Sequence, residues 1–191
     1  MFAQAVGFVL DVAFGLLTYA FLLRFVMQWL RAPFRNPLAQ AVVALTDWAV
    51  LPLRRMLPGY RGLDWASLML AWLAQFAWLI VLHLLTGRAA FDATMMAMLA
   101  LLACVELVKA ALWVLIVAVF AQAILSWIAP DGPLAGVLNA LTFRFLAPIR
   151  RILPPLGGTL DLSPLVLIVL AQLALMLPVR WLEGAIDALV R

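Results

Sequence analysis

The chain has 191 residues, of which 68% are hydrophobic and only 12% charged, with a mean hydropathy of +1.15. A water-soluble domain carries roughly a quarter charged residues, so this inventory cannot cover an aqueous surface and the chain belongs in a bilayer. Its formal charge of +4 comes from Lys109 and arginines placed beside apolar stretches, with no basic run; that argues against nucleic acid and for anionic lipid headgroups.

About 20 apolar helical residues cross a bilayer core. The first such stretch is about Ala5–Leu30, and it lacks a basic start and an A-x-A cleavage site. It reads as a retained span, not a signal peptide. Ala3, Gly7, Asp11 and Gly15 share one small-residue face suited to close helix contact. Arg24, near the end of the span, is expected to snorkel to the headgroups.

The connector at residues 31–64 follows. Asn36-Pro37 reads as a helix start, and the helix is expected to end before Pro52, where αR geometry is disfavoured. Its apolar residues Leu38, Val42 and Leu45 are too few to span and too greasy for water. The helix should lie in the interface or enter the bilayer as a re-entrant segment. "PLRRMLP" and Asp64 then lead into a second span, about Trp65–Leu85.

The short loop at 86–93 holds Arg88, balanced by Asp92. The third span lies within Thr94–Ile128; as one helix it would run on the order of 50 Å against a core of roughly 30 Å. Either it protrudes or its first turns, around "TMMAMLA", lie in the interface. A second connector, 129–163, repeats the design: a start at Gly132-Pro133, apolar Val137, Leu138 and Leu141, a stop before Pro148, then "PIRRILP", Asp161 and Ser163-Pro164. The last span is about Pro164–Leu182.

The two connectors are copies. Ala44-Leu45-Thr46 recurs as Ala140-Leu141-Thr142, and Pro52, Arg54, Arg55, Leu57 and Pro58 recur at the same offset as Pro148, Arg150, Arg151, Leu153 and Pro154. After one inserted residue, Leu63-Asp64 returns as Leu160-Asp161 and Leu73-Ala74-Gln75 as Leu170-Ala171-Gln172, while Trp29 answers Trp127. The chain therefore divides into repeat 1 (1–88) and repeat 2 (89–191), each a span, a connector and a span. A unit of two spans re-enters the membrane in the same orientation, so the repeats should be related by an axis along the membrane normal. Arginines concentrate in the connectors (Arg31, Arg35, Arg54, Arg55 and Arg61; Arg144, Arg150 and Arg151), which puts both in the cytoplasm, with Arg180 and Arg191 diluting the bias.

The segment "LTFRFLAPIRRILPPLGGTLDLSPLVL" closely resembles the signature of the YggT family (YlmG in Gram-positive bacteria, with plastid relatives): a Pro-x-Arg-Arg core, a Pro- and Gly-containing turn, then Asp-Leu-Ser-Pro. "LPLRRMLPGYRGLDWAS" matches in the first repeat, with Ala66-Ser67 where the family prefers Ser-Pro. The resemblance implies a small polytopic membrane protein without assigned catalysis. It associates the chain with osmotic or potassium tolerance, with cell-division gene neighbourhoods and, in plastids, with cytochrome assembly.

Asp64 and Asp161 stand where a carboxylate accepts bonds from free helix N–H groups and can take a bidentate arginine. Arg54 or Arg55 is expected to pair with Asp64, and Arg150 or Arg151 with Asp161. The arginine pairs bind anionic lipid or an acidic partner loop, or else only orient the chain and anchor its helices. Setting Trp29 on Trp127 brings Lys109 opposite Asp11, which invites a cross-repeat ion pair; Glu106, one turn before Lys109, can serve it locally. Charges within a span are functional candidates, although Asp11 stands close enough to the helix start to reach the interface.

Gln28, Gln75, Gln122 and Gln172 read as interhelical glue, with Gln75 and Gln172 facing each other across the axis. His83 is the only histidine and Cys104 the only cysteine, so no disulfide, haem or metal site is expected. Met95, Met96 and Met98 read as apolar filling and Cys104 as packing. No nucleophile, metalloprotease or phosphate-loop motif is present, and no catalytic residue or cofactor is assigned.

The expected fold is all-α and integral to the membrane: four principal transmembrane helices in two parallel tandem repeats, each with an interfacial or re-entrant helical connector. The expected location is multi-pass in a bacterial inner membrane. The leading function is a non-enzymatic scaffold or assembly factor. Its Arg54, Arg55, Asp64, Arg150, Arg151 and Asp161 engage headgroups or membrane-protein partners, other copies of the chain included. The alternative is a small ion transporter or channel component using Asp11, Glu106 and Lys109.

Overall fold

The computed structural model describes residues 2–85, 92–129, 132, 134–153 and 161–188. Apart from one isolated bridge, the regular structure among these residues is helical. Helix α1 is Phe2–Trp29, α2 Pro37–Met56, α3 Trp65–Leu85, α4 Ala93–Ile128, α5 Ala135–Ile152, α6 Ser163–Ala174 and α7 Arg180–Ala188, with a π-helical segment Leu175–Val179 joining the last two. Four of these stretches are long and apolar enough to cross a membrane: Gln4–Trp29, Trp65–Leu85, Ala93–Ile128 and Ser163–Ile186.

Caps explain where the helices begin. The Asn36 Oδ1 accepts the Ala39 N–H at 2.9 Å while its Nδ2 donates to the Pro33 carbonyl at 2.5 Å, and Pro37 opens α2 without a wasted donor. Asp92 does the same for α4, accepting the Met95 N–H at 2.7 Å. Helix α5 starts at Ala135 behind Leu134, which makes no side-chain cap; Pro133 lies outside the described residues, as do Met1, Arg88, Pro154, Leu160 and Arg191.

Helix α1 lies along α3, and α4 is the centre of the bundle, touching α1, α3, α5, α6 and α7. Small residues allow the approach: Ala66, Ala71 and Ala110 pack with Phe21, Leu22 and Val50 where α1, α2, α3 and α4 meet. A second cluster joins the repeats directly, with Met27, Ala32 and Ala39 from the first against Ala118, Val137, Leu138 and Leu141 from the second. Both connectors therefore lie at the same end of the bundle, as the repeat arrangement requires.

Helices α2 and α5 are two-faced. Val42, Thr46 and Val50 are buried from α2, and Leu138, Leu141, Thr142 and Leu146 from α5. Their outer faces carry exposed Leu45, Trp48, Leu51 and Met56, and Phe143 and Ile152. Large apolar side chains presented outward on a short helix suit a lipid-facing surface.

Two expectations fail. Pro52 and Pro148 do not end the connector helices; both lie inside helices that continue to Met56 and Ile152. A proline within a helix removes one bond and clashes with the preceding turn, but continuation carries the arginine pairs into the last turn, where their charge meets the negative end of the dipole. The fourth span is present as Ser163–Ile186, with one irregularity. Pro178 withholds an N–H, and the chain accommodates this with the π-helical segment before α7 resumes. Finally, Arg24 does not snorkel: it is only 4% exposed. Helix α4, by contrast, runs unbroken from Ala93 to Ile128, and its first half packs through Met98 and Val105 on Val179 and Ile186. Met98 is core filling.

Candidate functional site

The first connector turns a corner in a few residues. The Tyr60 N–H donates to the Leu63 carbonyl at 3.2 Å and the Leu63 N–H to the Tyr60 carbonyl at 3.1 Å. The two residues between have φ of +55° (Arg61) and +83° (Gly62). That is the left-handed pair of a tight hairpin turn, which glycine adopts freely and arginine does not. The reversal brings Asp64 back beneath the end of α2.

There Arg54 grips Asp64 with two prongs, Nε to Oδ1 at 3.1 Å and Nη2 to Oδ2 at 2.5 Å. The Ser67 hydroxyl donates to Oδ2 at 2.5 Å, and the Ser67 N–H donates to Oδ1 at 3.4 Å, so the carboxylate also caps α3. Arg54 Nη2 donates to Gln28 Oε1 at 3.0 Å, which ties the corner to α1. Asp64 has no solvent exposure. Burial pushes its carboxyl pKa up, but the bonds from Arg54 and Ser67 and the Arg54 charge outweigh that and hold it below the ordinary carboxylate value.

Arg24 completes this network. Its Nη1 donates to Thr46 Oγ1 and to Asp47 Oδ1, each at 2.7 Å, and its Nε lies 3.9 Å from Asp64 Oδ2. Two arginines and two aspartates thus tie α1, α2 and the head of α3 together. A buried guanidinium is tolerable only with such partners. The sequence reasoning missed Arg24, Thr46 and Asp47; the available signal was that Arg24 aligns with Gln122, and Thr46 with Thr142.

The second corner is simpler. Arg150 reaches Asp161 Oδ2 from Nε at 2.9 Å and from Nη2 at 2.8 Å, and the Ser163 N–H donates to Oδ1 at 2.9 Å. The Asp161 side chain remains 27% exposed. Burial again pushes its pKa up, while the Ser163 and Arg150 bonds bring it below the ordinary value. Gln122 takes the place of Arg24: the Thr142 hydroxyl donates to Gln122 Oε1, and Gln122 Nε2 donates to Asn139 Oδ1 at 3.3 Å. Among the described residues of this corner, no charged side chain is fully buried.

The arginine pairs therefore divide their work. Arg54 and Arg150 take the aspartates. Arg55 and Arg151 are exposed and form no ion pair among the described residues. Beside them stand Met56 and Ile152, at 80% and 81% exposure.

The expected Asp11–Lys109 pair does not form. Lys109 Nζ lies 2.8 Å from Glu106 Oε1 and 2.7 Å from Glu183 Oε1, while Asp11 is exposed and unpaired among the described residues. Helix α7 packs on α4 and brings Glu183 to Lys109, and two carboxylates leave Lys109 no need of Asp11. Nor do Gln75 and Gln172 meet, because α3 and α6 do not touch among the described residues. Gln28 and Gln122 do act between helices. His83 is buried in the last turn of α3 and Cys104 is an exposed free thiol.

The CCB3/YggT family model matches residues 3–85 and 96–182. An uncharacterized protein of Vibrio alginolyticus is 35% identical over 178 residues, covering 90% of this chain and 91% of its own. An uncharacterized protein of Pseudomonas aeruginosa is 39% identical, covering 75% and 73%. The uncharacterized protein YggT of Escherichia coli is 37% identical, covering 85% and 83%. No solved structure matches the chain.

Proposed function

Because the chain belongs to the CCB3/YggT family, whose matched relatives carry no activity in their names, we propose from its geometry that it is a non-enzymatic scaffold or assembly factor of the bacterial inner membrane. In this reading the two corners form one cytoplasmic face that engages anionic headgroups and partner membrane proteins. One observation carries the proposal: each corner locks one arginine internally and presents the next, Arg55 or Arg151, outward beside a fully projecting Met56 or Ile152. A cation next to an apolar anchor is the side-chain pair that holds a segment at headgroup depth.

The test is stabilisation by lipid. Wild type in neutral detergent should gain unfolding temperature when phosphatidylglycerol is added and not with phosphatidylcholine, and the double variant Arg55→Gln/Arg151→Gln should lose about half or more of that gain. Equal response to both lipids would sink the headgroup reading.

A second reading rests on the Lys109–Glu106–Glu183 cluster, charged groups held together within apolar helices. Lys109 and its repeat counterpart Asp11 each stand about 27 Å along their helix from the aligned tryptophans, close to the full depth of a core of roughly 30 Å. That position suits the far interface better than a mid-membrane relay. Ion flux in proteoliposomes, abolished by Lys109→Met, would reverse the order of the two readings.

A further inference from the structure

The connectors enclose something that neither arginine pair explains. A cleft of about 740 Å³ lies between them, lined among others by Gln28, Trp29, Arg31, Arg61, Asn139 and Arg144. Arg31 and Arg61 come from repeat 1 and Arg144 from repeat 2. Among the described residues, every charged side chain in this lining is an arginine. None of the three forms an ion pair among the described residues. Gathering like charges around one cleft is electrostatically uphill unless an anion enters among them.

Two features bear on how these three exposed arginines are presented. Arg31 and Arg61 both occupy the left-handed backbone region, at φ +54° and +55°, which non-glycine residues seldom adopt and which recurs at binding sites. Arg144 lies over Trp29, its guanidinium carbon 5.3 Å from the ring centroid, and Arg61 lies over Tyr60 at 5.4 Å. Stacking on a ring orients a guanidinium while leaving its N–H donors available. The Gln28 and Asn139 amides add neutral polar groups to the wall.

We propose that this cleft is a binding site for a phosphate-bearing anion, shared between the two repeats. An adjoining groove of about 540 Å³, walled by Phe25, Trp65, Met69, Trp72 and Leu107, has Trp29 in common with the cleft. An anionic phospholipid would place its phosphate among the arginines and its chains along that groove, and the groove favours this source over a soluble phosphate. The site uses residues other than Arg55 and Arg151, so variants of the two sets separate it from the proposed function.

Native mass spectrometry of the full chain in neutral detergent tests it, with phosphatidylglycerol and phosphatidylcholine offered together. Wild type should retain one phosphatidylglycerol in preference. Arg31→Gln and Arg144→Gln should each cut that preference about fivefold, whereas Arg55→Gln/Arg151→Gln should leave the single tight lipid in place. Gly136→Asp guards against misfolding, because a Cβ at Gly136 comes no closer than 4.0 Å to its neighbour Pro33. It should expel the lipid with every arginine still present. Displacement by millimolar inorganic phosphate would assign the site to a soluble anion, and resistance to it would assign the site to a lipid. Equal retention of both lipids by wild type, or unchanged preference in all three cleft variants, would overturn the proposal.

Discussion

Asp64 is the residue on which most of the first repeat turns. It is a fully buried carboxylate facing two guanidiniums, with Ser67 filling its remaining acceptor sites. Removing one partner of a buried charge pair strands the other, at a cost of about 3–5 kcal/mol. Asp64→Asn should therefore be severely destabilising. Asp161→Asn, at a partly solvated site, should cost about 1 kcal/mol. Arg24→Gln, which copies the Gln122–Thr142 arrangement of the second repeat, should fall between them, since Arg54 still neutralises Asp64. Urea unfolding in detergent orders the three; a larger loss for Asp161→Asn would contradict the geometry. The same carboxylates set an acid limit. Their folded pKa values lie below the unfolded value, so their stabilisation is complete above the unfolded pKa, about 3.9, and is lost as pH falls through the folded values. The unfolding temperature should be flat from neutral pH to about 5 and drop below 4, with a shallower drop in Asp64→Asn. An acid-insensitive wild type would count against both pairs.

At the scale of the helix, ends were harder to read than spans. The buried Asn36 both caps α2 and holds the Pro33 carbonyl, so Asn36→Ala should cost about 1–2 kcal/mol. The exposed cap Asp92 should cost about half of that or less on the same change. Equal losses in a denaturant titration would mean that the Pro33 contact contributes nothing. The cap at Asn36 was legible because the Asn-Pro pair states its own geometry. The span Trp65–Leu85 was legible because an uninterrupted apolar run of that length matches the thickness of a bilayer core as a helix. Pro52 and Pro148 misled because a local rule, proline as a stop, lost to a tertiary demand for arginines in the last helical turn. Arg24 misled for the opposite reason. Near the end of a span a lone arginine has a cheap escape to headgroups, and only the folding of α2 beneath α1, bringing Thr46 and Asp47, takes that escape away. The cleft arginines were counted in the sequence for their charge, but Arg31, Arg61 and Arg144 are scattered along the chain, and no spacing rule joins them.

For the whole molecule, the consequence of duplication is that both corners share one end of the bundle, which the common cleft of Arg31, Arg61 and Arg144 makes concrete. The proposed cytoplasmic placement of that end rests on charge bias: arginines near spans favour the cytoplasmic side, and the connectors hold most of the arginines while the loop at 86–93 holds only Arg88. Labelling a single introduced thiol in intact cells decides it, in a background with the exposed Cys104 replaced by alanine. Tyr60→Cys and Leu153→Cys use exposed positions of the first and second connectors, and Thr94→Cys uses an exposed position at the head of α4. An impermeant maleimide should label Thr94→Cys directly and the other two only after the membrane is opened. The length of α4 sharpens the expectation: a helix of roughly 50 Å exceeds a core of roughly 30 Å by several turns, which carries Thr94 well beyond the far headgroups. If Tyr60→Cys and Leu153→Cys react on opposite sides, the repeats are not parallel and the shared cleft cannot exist. If both react before permeabilisation, the fold stands but the arginine face looks outward, and its partners must be sought on that side.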